Sequence, residues 1–452
     1  MKKIILIFSV LVLCACAKQE QINYLVFSGT IINSNSDSII VSRKDFRKAI
    51  AISEKGSFYD TLFIDNGYYS FRIGRESSAL FLQNGKSLNL NINIEEFDES
   101  IKYSGIGAAE NNVLASTYLV EEVMMGDPTE FYSQDENQFI SSCKTIKDSI
   151  VQLINNQKID ANFKADQLNN AKYNYARQLL IYPTYHRHYA DLPDFKVSAD
   201  FISNQVEFSI NDENAFKNSS SYVDLINTVF EQKINEAPDS ISYSQAIFNA
   251  TEEWPNGLIR DELLNDMAAY IISPNEELET MYQFLINAVS DTSYHAKYTV
   301  LYQKMVLLQK GNPSPSFVDY ENHAGGTSSL KDLLGKYVYI DVWATWCGPC
   351  IREIPALKEI EAAFHNKNIH FVSISVDREN DHETWIKMVK DKELNGIQLF
   401  ADQAWESDFI RAYEINSIPR FILIDPSGKI IDADAARPSS PKLLELLNEL
   451  KI

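Results

Sequence analysis

Cys347 and Cys350 are separated by Gly348-Pro349 and preceded by Trp346, and two thiols at that spacing can close a disulfide or accept one from another protein. What they do depends on the elements that position them. Tyr337-Val338-Tyr339-Ile340-Asp341-Val342-Trp343 reads as a buried strand, Ala344-Thr345 leads out of it, and the apolar spacing from Cys350 through Leu357 and Ile360 to Phe364 reads as a helix. Cys347 then falls at a helix N-terminus. Free amide N–H groups and the helix dipole there favour thiolate over thiol, bringing a cysteine pKa from about 8.5 toward about 7. Cys347 is the expected nucleophile, and Cys350, one turn further in and more shielded, is expected to resolve the mixed disulfide. A zinc half-site is the rival use of the pair. A tetrahedral thiolate site needs a second pair of ligands, and with Cys14 expected to be discarded only Cys16 and Cys143 remain, so no metal and no cofactor is expected.

Residues 311–452 resemble the thioredoxin-like domain of the TlpA/ResA-type thiol-disulfide oxidoreductases of bacterial envelopes, through Trp346-Cys347-Gly348-Pro349-Cys350. The resemblance implies an α/β thioredoxin-like fold and further site residues. Asp341 matches a buried acid two residues before the strand tryptophan, and Glu353 an acid one turn after the second cysteine. Either is a candidate to take the Cys350 proton, since burial makes a carboxylate a competent base near neutrality. Pro355 matches a proline that kinks the helix, and Asp377 to Ile415 an inserted helix and strand. Ile418-Pro419, before the apolar run Arg420-Phe421-Ile422-Leu423-Ile424, matches a cis-proline site, which implies an Ile418 backbone free to pair with an extended substrate segment. Gly-Pro between the cysteines resembles reducing thioredoxin, near about −270 mV, more than strong oxidants near about −120 mV. A reductase of envelope-protein disulfides, recharged by a membrane thiol donor, is therefore expected. One alternative is a thioredoxin-fold peroxidase; its Pro-x-x-x-Thr-x-x-Cys pattern is not met, because Ala344 stands three residues before Cys347 and Cys347 three before Cys350. Another is a binding lipoprotein whose redox module is ancillary.

The rest of the 452 residues must carry and place this module. The length suggests about three domains, and 45% hydrophobic with 23% charged residues is ordinary globular composition. The net charge of −21 repels nucleic-acid phosphates, and no basic cluster offsets it. Lys2-Lys3 and the apolar run Ile4 to Leu13, too short to span a bilayer, read as a signal peptide over 1–15. Leu13-Cys14-Ala15-Cys16 resembles a lipobox, implying a lipid on Cys16, a tether over 16–23, and a chain anchored to the membrane facing the periplasm or the outer surface.

The expected fold class is multidomain: an N-terminal antiparallel β domain (24–104), an α-helical middle domain (113–309) and the C-terminal α/β domain. In the first, Leu88 to Ile94 alternates aliphatic and amide side chains, Asn66-Gly67 and Asn84-Gly85 read as hairpin turns, and Ser104 to Asn112 reads as an exit loop. The β domain resembles a module often fused to such lipoproteins, from which no function carries over. In the second, Phe139, Ile140, Cys143, Ile146, Ile150, Leu153 and Ile154 form a helical stripe that makes Cys143 an inert buried thiol. Ser273-Pro274-Asn275-Glu276 reads as a capping box, and His186-Arg187-His188 as structural rather than metal-binding. Gly311 to Ser316 is the expected linker. Arg437 to Pro441 is expected only to cap a last helix over Lys442 to Leu450.

Overall fold

The computed structural model describes residues 22–452 apart from 35, 45, 200, 202–206 and 239. The leader expected over 1–15 and Cys16 lie outside the described residues. The chain divides into two compact units, Met1–Gln232 and Lys233–Ile452.

The first unit begins with eight strands: β1 (Leu25–Ile32), β2 (Ser38–Arg43), β3 (Phe46–Ala51), β4 (Ser57–Leu62), β5 (Gly67–Ile73), β6 (Glu76–Leu82), β7 (Ser87–Asn93) and β8 (Lys102–Ile106). They form two four-stranded sheets, ordered β4-β1-β7-β8 and β3-β2-β5-β6, sharing a core that includes Phe27, Phe71, Leu80 and Leu90, all fully buried. Alternation in β7 buries Leu88, Leu90 and Ile92 on one face. Three expectations are corrected here. Asn66-Gly67 joins β4 of one sheet to β5 of the other, and Asn84-Gly85 joins β6 to β7 in the same way, so neither is a hairpin. Glycine's positive φ, +145° at Gly67 and +76° at Gly85, marks where the chain turns but not which strands pair. A tight hairpin does form at Gly74-Arg75, where Ile73 pairs with Glu76. The domain is also not wholly antiparallel, because these crossings let β1 lie parallel to β7. Finally, Ser104-Gly105-Ile106 belongs to β8, paired with β7, and a helix starts at Ala108, so the exit loop is absent. Gly105 imitates a loop signal for a local reason: at φ +94° a Cβ would lie 2.4 Å from the Ser87 carbonyl oxygen.

Helices Ala108–Met125, Glu136–Asn155 and Ala161–Tyr189 follow. Phe139, Ile154, Leu179 and Tyr182 are fully buried among them. Cys143 lies on the buried stripe, and burial pushes its thiol pKa up to about 12. His186 is buried with Nδ1 2.8 Å from the Tyr132 carbonyl oxygen, whereas His188 is exposed, as helical spacing of two residues requires.

The second unit opens with helices that include Tyr243–Thr251, Leu258–Asp266, Leu278–Ala288 and His295–Leu307. The expected capping box is corrected. The Ser273 hydroxyl donates backward to the Tyr270 carbonyl, closing the preceding turn, and the next helix starts only at Leu278 with Glu277 as an N-cap that makes no side-chain capping bond. Past Gly311, strands β9 (Tyr320–Asn322), β10 (Thr327–Ser328), β11 (Tyr337–Trp343), β12 (Ile369–Ser375), β13 (Ile397–Phe400), β14 (Arg420–Ile424) and β15 (Ile430–Asp432) form one sheet. Its order is β10-β9-β13-β12-β11-β14-β15. β11 lies parallel to β12 and antiparallel to β14, and every residue from Val338 to Trp343 is buried, which explains why it is apolar on both faces apart from Asp341. Helices Gly348–Ala363, His382–Asp391 and Pro441–Glu449 complete the domain.

Candidate active site

Cys347 and Cys350 are joined in a disulfide where β11 passes into the helix Gly348–Ala363. Cys347 is the N-cap of that helix, and Pro349 sits in its first turn, where no intrahelical N–H is needed. The Cys350 amide N–H donates to Cys347 Sγ at 3.1 Å. The helix thus aims a backbone donor, with its positive end, at the first sulfur. The expected difference in shielding is absent from this oxidised form, since both cysteines are 4% exposed. The disulfide ties Cys350 into the same surface turn. Around it Trp346 is 58% exposed, and Gly348 and Pro349 are exposed as well. The helix continues through Pro355 to Ala363.

The turn carrying the cysteines is fastened by a residue that motif reasoning did not single out as functional. Asp377, fully buried just after β12, accepts from the Thr345 N–H at 2.9 Å, the Thr345 hydroxyl at 2.8 Å and the Ser375 hydroxyl at 2.7 Å. Its only sequence signal is an acid directly after an apolar strand.

Asp341 is buried at the middle of β11, in register with Ser373 of β12 and Phe421 of β14. Burial, reinforced by the Glu361 and Glu353 carboxylates, pushes its pKa up to about 8, against a smaller opposing pull from its hydrogen bond with Ser373. It lines a small cavity together with Cys350, Trp343, Ser373, Gln398 and Glu361. That places a carboxyl of near-neutral proton affinity beside the second cysteine.

Glu353 is placed differently. Its two oxygens accept from the Ser439 N–H at 3.0 Å and the Ser439 hydroxyl at 2.9 Å, with Arg437 3.9 Å away, and it does not line the Cys350 cavity. The segment Arg437 to Pro441, to which no chemistry was assigned, therefore latches the second turn of the active-site helix. Ser440 occupies the N-cap of the last helix but makes no side-chain capping bond.

The Ile418–Pro419 peptide is cis. Arg420 pairs with Val342, so Ile418 and Pro419 lie beside the end of β11 from which the cysteine turn departs. The Arg420 guanidinium is 2.8 Å from Asp434. Sequence reasoning also missed Glu361. It lies eleven residues after Cys350, on the stripe shared with Ile354 and Leu357, and a charged residue on a buried stripe is the signal that could have found it. Among the described residues, no cluster of three or more His, Cys, Asp or Glu side chains could hold a metal ion.

The model of the AhpC/TSA family matches residues 311–433. The thiol-disulfide oxidoreductase ResA of Bacillus thuringiensis is 30% identical over 171 residues, 37% of this chain and 90% of the relative. Its counterpart in Bacillus subtilis is 25% identical over 167 residues, 37% of this chain and 88% of the relative. Among solved structures, the thioredoxin domain of a Bacteroides vulgatus thiol-disulfide oxidoreductase is 30% identical, covering 32% of this chain and 98% of its own, with a TM-score of 0.29. Another Bacteroides vulgatus structure, determined in solution, is 54% identical over 32% of this chain and 92% of its own, with a TM-score of 0.28.

Proposed function

The C-terminal third of this chain belongs to the ResA family of thiol-disulfide oxidoreductases, and from that premise we propose that the enzyme reduces disulfides of cell-envelope proteins through Cys347 and Cys350. The observation that carries this reading is the Cys350 amide aimed at Cys347 Sγ from the first turn of a 16-residue helix, beside an exposed Trp346. Backbone donors there stabilise a thiolate without needing a metal or cofactor.

In the reduced enzyme the Cys347 thiolate attacks one sulfur of the substrate disulfide. That bond breaks, the departing sulfur takes a proton, and Cys347 is left in a mixed disulfide. Cys350 then gives its proton to Asp341 and attacks Cys347 Sγ. The Cys347–Cys350 bond forms, the mixed disulfide breaks, and the second substrate sulfur leaves and is protonated. The substrate gains two electrons and two protons. The enzyme ends in the disulfide form seen in the structure, which a dithiol donor at the membrane returns to the dithiol.

Asp341 is the better placed base, because it shares a cavity with Cys350 while both oxygens of Glu353 are held by Ser439. Ile418 and Pro419 are the proposed backbone contact for an extended substrate segment, and Trp346, Gly348 and Pro349 the exposed surface it meets. A lipid on Cys16 is the proposed anchor, holding the domains outside the cytoplasm. Among the described residues no helix is long and apolar enough to cross a membrane.

The test is insulin reduction. Reduced enzyme should precipitate insulin chains, and Cys347→Ser should abolish the activity. Unchanged turnover in Cys347→Ser would overturn the assignment.

A further inference from the structure

The mechanism leaves one buried group unused. Glu361 lines the Asp341–Cys350 cavity from the fourth turn of the active-site helix, and its Oε2 is buried with no hydrogen-bond partner. Its Oε1 is seated against Gly396, where a Cβ would come within 2.8 Å of that oxygen, so the facing loop makes room for the carboxyl. Two further buried polar atoms without partners, Trp343 Nε1 and Gln398 Oε1, belong to residues lining the same cavity. The cavity measures about 10 Å³, about the least volume that admits one water molecule. Unlike Asp341, the Glu361 residue as a whole is only partly buried.

Its charged surroundings are few. Asp341 faces it from β11. Among the described residues Lys358, on its own helix, is the cation acting on it, with Nζ donating to the Lys392 carbonyl. Ser373 of β12 and Asn395 and Gln398 before and within β13 are uncharged, while Glu353 and Tyr339 act on the Asp341 side and are themselves bonded to Ser439 and Ala436. Two carboxyls lining one small cavity resist being ionised together.

We propose that Glu361 is a positioning residue for the dithiol chemistry: the Asp341 and Glu361 carboxyls share one proton across the cavity. Glu361 thereby sets the pH at which Asp341 accepts the Cys350 proton and provides that proton's route to solvent. This rests on the assignment of Asp341 as the base. When Cys350 loses its proton the pair becomes doubly protonated, and the excess proton leaves through Glu361 once the Cys347–Cys350 bond has formed. No oxidant beyond the substrate disulfide is involved.

The experiment follows the pH dependence of mixed-disulfide resolution in the full chain, with infrared titration of the carboxyls, in wild type, Glu361→Gln and Asp341→Asn. In Glu361→Gln the rise of the resolution rate with pH should move lower by about one pH unit, because a repelling charge has gone. Its plateau should fall about threefold, since a less basic carboxylate is a weaker proton acceptor. Coupling is reciprocal, so Asp341→Asn should lower the titration of Glu361 as well; this readout stands even if Glu361→Gln does not fold. Superimposable rate profiles, or a Glu361 titration unmoved by Asp341→Asn, would overturn the proposal. If Cys347→Ser is inactive while the profiles superimpose, only the role of Glu361 falls.

Discussion

At the scale of single residues, the decisive quantity is where Asp341 holds its proton. Its ordinary value is 3.8 and burial raises it to about 8, so the folded protein binds this proton more tightly than the unfolded chain. Stability from this group is therefore fully present below about pH 4 and is lost as pH rises through about 8, where an ionised carboxylate must stay buried. Asp341→Asn should consequently raise the melting temperature of the oxidised protein at pH 8, by about 2 °C or more for each kcal/mol relieved, and the gain should vanish near pH 4. Thermal unfolding of both proteins across pH 4 to 9 checks the sign. The same substitution should slow substrate reduction, by about 10²-fold if Asp341 is the sole base, which separates its catalytic use from its cost to stability.

At the scale of elements, the cysteine turn is held from two sides. Asp377 ties Thr345 ahead of the cysteines, and Ser439 ties Glu353 behind them. Asp377→Ala leaves the Thr345 donors and the Ser375 hydroxyl without a buried acceptor, and should destabilise the protein by about 2–4 kcal/mol; denaturant unfolding measures it. The strand–turn–helix around Cys347 was legible because a largely apolar run, a two-cysteine spacing and a helical stripe agree with one another there. Asp377 and Ser439 were not, because each is joined to its partner across a gap of 32 or 86 positions that no local pattern spans. The same limit explains the β domain. Asn66-Gly67 and Asn84-Gly85 do turn the chain, but strand pairing is decided by which faces bury together, and β1 selected β4 and β7 over its neighbour β2. Ser273 failed as a cap for a related reason, its hydroxyl having an equally good acceptor behind it at Tyr270.

At the scale of the whole molecule, a net charge of −21 on 452 residues gives little affinity for anionic lipid surfaces, so attachment to a membrane would rest on the lipid proposed on Cys16. Cys16→Ser should move the protein from the membrane fraction to the soluble fraction of lysed cells while leaving insulin reduction in vitro intact; fractionation followed by immunoblotting decides it. The helical stripe of the first unit adds a practical consequence. Cys143 is the only free cysteine among the described residues, is 3% exposed, and has a thiol pKa raised to about 12. An alkylating mass tag applied to the native protein therefore leaves it untouched. Among the described residues, tag uptake by the folded chain on a gel then reports the state of one pair of sulfurs, so electron flow through that pair can be followed without first mutating the bystander.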